Sequence, residues 1–222
     1  MIKTIIFDWD GTLHDTKALY GSAFRRGCRW LCENGYADKW DYTDEEASKY
    51  IGYSAGDAWR AFRPDLPDEI TIIPNRIIGR SMVEDVYKGH ARLYTGALDV
   101  LSKLKSEGFY LAFLSNCDKE YMNAHREYFC LDNYFDKMYC CGEFGWASKP
   151  EVFCQIQKEL PGDYIVVGDR ASDLETAFVH GLSSIGCSYG CGGEGELEGA
   201  DYIAENVSDI PGIVSNICGK EI

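Results

Sequence analysis

Apolar runs of strand length recur along the chain at 4–7, 110–114, 137–141, 164–167 and 183–187. Between the later runs lie segments with helical spacing of apolar residues, at 97–107, 119–129, 150–159 and 173–180. Runs that are apolar throughout need burial on both faces, and an intervening helix supplies that cover. The pattern predicts an α/β fold, a Rossmann-like parallel sheet with helices on both faces. Ligands in such sheets bind at the carboxyl ends of the strands, so the residues that follow each run are the candidates for chemistry.

The alternation breaks once. From 15 to 90 the spacing is helical, carried by Leu19, Phe24, Leu31, Trp59, Ile78 and Met82, with breaks at Gly52-Tyr53-Ser54-Ala55-Gly56 and Pro64-Asp65-Leu66-Pro67. This predicts an inserted α-helical domain at 15–90, and a core formed from 1–14 and 91–222. The glycine-rich stretch 186–199 reads as a loop.

With 36 Asp+Glu against 22 Lys+Arg the formal charge is −14, which argues against nucleic acid and anionic membranes, since both need a positive patch. It leaves an anionic small molecule open, because one local site can reverse the sign. No apolar run approaches the ~20 residues that span a bilayer, and the short apolar start runs straight into Asp8; a cytoplasmic protein is expected. Cys28 and Cys32, and Cys187 and Cys191, have spacings that invite zinc, but no second pair of cysteines or histidines accompanies either, so reduced structural thiols are expected.

The first run ends in Asp8-Trp9-Asp10-Gly11-Thr12. Two acids placed together repel unless a cation or a shared proton compensates, and Mg²⁺ would do so; as turn formers they would need neither. The second run ends in Ser115-Asn116, neutral donors suited to phosphate oxygens or to capping a helix. Lys149 stands at the start of a helix, against the dipole, where a nearby carboxylate or phosphate would account for it. Gly168-Asp169 and Asp173 follow the fourth run, with the two acids about a turn apart. Each is weak evidence alone, and their coincidence at strand ends is the signal.

In order and spacing these residues resemble the haloacid dehalogenase superfamily, in particular its phosphoglycolate phosphatase-like members with a helical cap after the first strand. Asp8 to Thr12 match the first motif, Ser115 the second, Lys149 the third, and Gly168-Asp169 with Asp173 the fourth. The resemblance implies a Mg²⁺-dependent phosphatase acting on a small phosphomonoester through an aspartyl phosphate on Asp8, with Asp10 as acid and base. It implies Thr12, Ser115, Asn116 and Lys149 on the substrate, and Asp8, Asp10 (through its carbonyl), Asp169 and Asp173 around the metal. Arg60 and Arg63, near the 52–56 break, are candidate substrate contacts from the cap. Dehalogenases of the family lack the acid at the Asp10 position, which favours phosphoryl transfer. A sugar-phosphate mutase shares all four motifs, but Tyr20 and Ala55 stand where such mutases carry a histidine and an arginine. A non-catalytic phosphate-binding protein would have no need of the clustered acids.

Overall fold

The computed structural model describes residues 3–219; the ends of the expected core segments, at 1–2 and 220–222, lie outside the described residues. The sheet is formed by β1 (Thr4–Phe7), β2 (Tyr110–Ser115), β3 (Lys137–Cys140), β4 (Tyr164–Gly168), β5 (Ser183–Cys187) and β6 (Tyr202–Ala204). Its order is β3-β2-β1-β4-β5-β6, and every pairing is parallel. The α/β architecture expected from the apolar runs is the one present. β6 was not anticipated, because three residues after a glycine-rich loop leave no periodic signal.

All four residues of β1 are buried. Alternation decides which face each serves: Ile5 and Phe7 join the core with Leu111, Phe113 and Val167, whereas Ile6 joins Ala112, Leu114 and Phe153 on the other side. Covering these faces are α5 (Ala97–Ser106), α6 (Lys119–Tyr128), α7 (Lys149–Ile156), α8 (Ala171–His180) and α9 (Ile210–Ile217).

Four helices stand between β1 and β2: α1 (Lys17–Glu33), α2 (Asp44–Ser48), α3 (Ala55–Phe62) and α4 (Asp68–Tyr87). They bury Phe24, Leu31, Trp59 and Ile78 in an apolar cluster of their own. The break expected at 52–56 is shorter than the sequence suggests, since Ser54 accepts from Asp57 N–H and caps α3, which takes Ala55 and Gly56 into its first turn.

Phe7 lies opposite Phe113 on one side and Val167 on the other. The chain leaves β1 toward β2 in one direction and later returns to β4 in the other, which makes the carboxyl end of β1 the point where the order reverses. Asp8, Ser115 and Asp169 all emerge there. No described helix is long and apolar enough to cross a membrane.

Candidate active site

Beyond Phe7 the backbone folds back on itself: the N–H groups of Thr12, Leu13 and His14 all donate to the carbonyl of Trp9. Gly11 makes that turn with φ 93°, and a Cβ there would come 2.2 Å from Asp169 Oδ2. Glycine is required both by conformation and by the approach of β4's exit to β1's. Trp9 turns its side chain fully into the core.

Asp169 follows β4. Asp173 reaches back from the first turn of α8 and accepts from the N–H groups of Asp169 at 3.1 Å and Arg170 at 2.9 Å. Lys149 opens α7, whose Ser148 and Glu151 form a capping box. Its ammonium donates to Asp8 Oδ1 at 2.5 Å and also to Asp173 Oδ1. The lysine set against the dipole thus has its partners. Asp8, Asp169 and Asp173 each offer an oxygen within 4.8 Å of the others, and all three are buried.

Three buried carboxylates around one ammonium leave negative charge uncompensated. Burial pushes the Asp8 carboxyl well above the usual carboxylate range, helped by Asp173 and Asp169 against the pull of Lys149. Asp169 is pushed up to about 7, first by burial and then by Asp173. Burial works against the charge of Lys149, but Asp173 and Asp8 more than offset it and raise its pKa. A site that strains to hold its own charges is suited to a hard divalent cation, and the all-oxygen donor set fits Mg²⁺. No cysteine pair belongs to a metal-spaced group among the described residues, and Cys28, Cys32, Cys187 and Cys191 are free thiols.

Asp10 has separate surroundings. Its Oδ1 accepts from Thr16 Oγ1 at 2.7 Å and from Tyr121 O–H at 2.8 Å, and lies 3.1 Å from His14 Nδ1. Burial pushes its pKa up, but the hydrogen bonds from His14 and Thr16 are among the effects that outweigh it, and the net shift is downward. Beyond His14 lies His125, ring centroids 4.5 Å apart, with its pKa held well below the usual histidine value by burial and then by His14. His14 thus stands between Asp10 and His125.

A cavity of about 570 Å³ opens from Asp8, Asp10, Ser115 and Asn116 toward the helical insertion, where Tyr20, Arg76 and Arg80 are among its walls. The sequence-derived residues divide around it. Asp8, Asp10, Ser115 and Asn116 reach the cavity; Lys149, Asp169 and Asp173 lie behind Asp8. Thr12 is fully buried, its hydroxyl 3.2 Å from both Asp8 Oδ2 and Asp169 Oδ1. Asn116 spends its amide on the carbonyl of Gly52 in the insertion, at 3.0 Å. Arg60 pairs with Asp57 and Arg63 with Asp65, and neither lines the cavity.

Sequence reasoning passed over several residues. Tyr121 stands 111 positions from Asp10 and no local pattern links them. Arg170 donates to Glu196 at 2.6 Å and to the Ile51 carbonyl at 2.5 Å, tying the sheet's edge loop and the insertion to the site. Cys191 N–H donates to Asp169 Oδ2 at 2.7 Å from within the glycine-rich loop. The glycines there were the available signal, since a Cβ at Gly190 would lie 2.3 Å from Asp169 Cβ.

The profile of haloacid dehalogenase-like hydrolases matches residues 5–187, which takes in the exits of β1, β2 and β4 and the start of α7. The chain belongs to that family. It is a hydrolase by that membership. Among curated relatives, "Pyrophosphatase PpaX" of Bacillus pumilus (strain SAFR-032) is 24% identical over 219 residues, covering 96% of each chain. Among solved structures, one titled a "predicted phosphatase" from Clostridium acetobutylicum superposes with a TM-score of 0.82 at 23% identity, over 97% of this chain and 99% of that one. CbbY from Rhodobacter sphaeroides, solved in complex with phosphate, gives 0.76 at 22% identity, over 95% and 96%. These likenesses establish that the haloacid dehalogenase-like fold runs the length of the chain.

Proposed function

We propose that this protein is a Mg²⁺-dependent phosphatase that hydrolyses a small phosphate ester through a phosphoryl group carried transiently on Asp8. The observation that supports this most is the placement of Asp8, at the floor of the cavity and against the ammonium of Lys149. A carboxylate meeting a phosphate dianion is repelled by about 4 kcal/mol per unit-charge pair at ~4 Å and an effective dielectric near 20. Lys149 offsets part of that. Asp8, Asp169, Asp173 and the carbonyl of Asp10 would hold Mg²⁺, which neutralises the carboxylates and polarises the phosphoryl oxygens when bound.

Thr12 orients the Asp8 carboxylate through Oδ2, leaving the other oxygen facing Lys149. Attack by Asp8 splits one displacement into two easier ones. Ser115, at the cavity wall, donates to the transferring phosphoryl group. Asp10 serves the leaving oxygen as acid and then water as base. Its three contacts converge on Oδ1 and favour the ionised form, the form that accepts a proton from water. The insertion at 15–90 acts as a cap that excludes water during the reaction.

The names of the curated relatives favour a second substrate class, phosphoanhydrides, on the same machinery. Phosphate release from aryl phosphate, alkyl phosphates and pyrophosphate, with Mg²⁺ and after chelation, tests the proposal. Turnover that needs Mg²⁺ supports it. Turnover undiminished by chelation contradicts the metal, and no release from any compound contradicts the activity.

A further inference from the structure

Arg76 and Arg80 stand one turn apart on α4 and both line the cavity that reaches Asp8. Neither makes a hydrogen bond, an ion pair or a ring contact among the described residues. That is unexpected in a chain with 36 acids and 22 bases. Arg60 and Arg63, on the same insertion, both find an aspartate. Glu84, a turn along α4 from Arg80, pairs with Lys88 instead. Two like charges at this spacing destabilise a helix, and no acid among the described residues relieves the cost.

The cavity also exceeds what one phosphoryl group fills. Its volume of about 570 Å³ falls within the range for whole small molecules. One end holds Asp8 and Ser115; the α4 wall holds the two guanidinium groups, with aromatic rings of Tyr20 and Trp59 also among its walls. A guanidinium presents a fixed fork of donors matched to carboxylate and phosphate oxygens. Nothing among the described residues occupies those forks.

We infer that Arg76 and Arg80 bind a second anionic group of the substrate, a carboxylate or a second phosphate, set apart by a short carbon skeleton from the phosphoryl group that reacts at Asp8. The inference rests on the phosphatase reading above and adds the substrate class to it. The other acids that line the cavity beside Asp8 and Asp10, Asp118 and Glu120, offer a different fate for the arginines. Asp118 already caps α6 by accepting from Tyr121 N–H at 2.8 Å, whereas Glu120 is available to pair with an arginine if the insertion moves toward the core.

The test uses alkyl phosphates of one chain length that end in a carboxylate, a second phosphate or a neutral amide, with Mg²⁺, in the wild type, the double variant Arg76→Gln/Arg80→Gln, and Glu120→Gln. The wild type is expected to prefer an anionic end over the amide by about 10- to 100-fold in kcat/KM, chiefly through KM, the scale of one or two charge-assisted hydrogen bonds. In the double variant that preference collapses to within about threefold of unity, and comparison of the two anionic ends tells which group is bound. Both arginines are exposed, and thermal unfolding checks that the double variant remains folded. Wild-type turnover with no preference for an anionic end, or a preference that survives the double substitution, overturns the inference while leaving the phosphatase reading intact. Equal losses on all three substrates in the double variant and in Glu120→Gln assign the arginines to closure and also overturn it. No phosphate release from any compound by the wild type removes the phosphatase reading and this inference with it.

Discussion

Lys149 Nζ stands 2.5 Å from Asp8 Oδ1 and donates as well to Asp173 Oδ1. One buried ammonium thereby joins the exit of β1 to the first turns of α7 and α8. All three side chains are more than nine-tenths buried, so water cannot replace the lysine. Breaking a buried pair from one side leaves charge without compensation.

Lys149→Met is expected to lower stability by about 3 to 5 kcal/mol in the absence of metal. Urea unfolding near neutral pH measures it. Added Mg²⁺ should restore part of the loss, because the cation and the lysine compensate the same carboxylates. An unchanged midpoint would mean that the three acids do not need the ammonium.

Asp10 and Tyr121 lead to a prediction about leaving groups. Tyr121→Phe keeps the ring against His125 and removes only the hydroxyl that steadies the carboxylate. The ionised carboxylate that this hydroxyl favours is the form that takes a proton from water when phosphorylated Asp8 is hydrolysed, a step shared by every substrate. The variant should lose about 10-fold in kcat on an alkyl phosphate and on a nitrophenyl phosphate alike. A loss confined to the alkyl phosphate would instead assign Tyr121 to protonation of the leaving oxygen.

The pH dependence follows from Asp169, held at about 7 by burial and then by Asp173. In the unfolded chain its pKa falls near 3.9. Between those values the folded state holds a proton that the unfolded state has lost, so this group's contribution to stability falls as pH rises from about 4 and its cost is complete above about 7. Metal binding needs the carboxylates ionised and removes that cost. The increase in melting temperature on adding Mg²⁺ should therefore be larger near pH 8 than near pH 5.5. A metal effect independent of pH would place the cation elsewhere.

The sheet and the clustered acids were legible because both are local. A strand buried on both faces writes a continuous apolar run, and a strand end that works writes its polar residues directly after it, as at Asp8, Ser115 and Asp169. What could not be read depends on how elements meet. Tyr121 reaches Asp10 only because β1 and β2 are neighbours in the sheet. Thr12 was expected at the substrate, but the turn at Gly11 folds its hydroxyl inward to Asp8 and Asp169. Arg60 and Arg63 adjoin the 52–56 break and are candidates for that reason, whereas Arg76 and Arg80 have no such break beside them. The acids at Asp57 and Asp65 are a local sign that both are neutralised, whereas the face that α4 turns to the cavity is fixed by its packing on α1, α6 and α3.

Passage of the phosphoryl group through Asp8 can be seen by mass analysis of enzyme quenched in acid during turnover with Mg²⁺ present. A peptide containing Asp8 should be heavier by one phosphoryl group in the wild type and unmodified in Asp8→Asn, which should also release no phosphate. Wild-type rates of release from Asp8→Asn would contradict it.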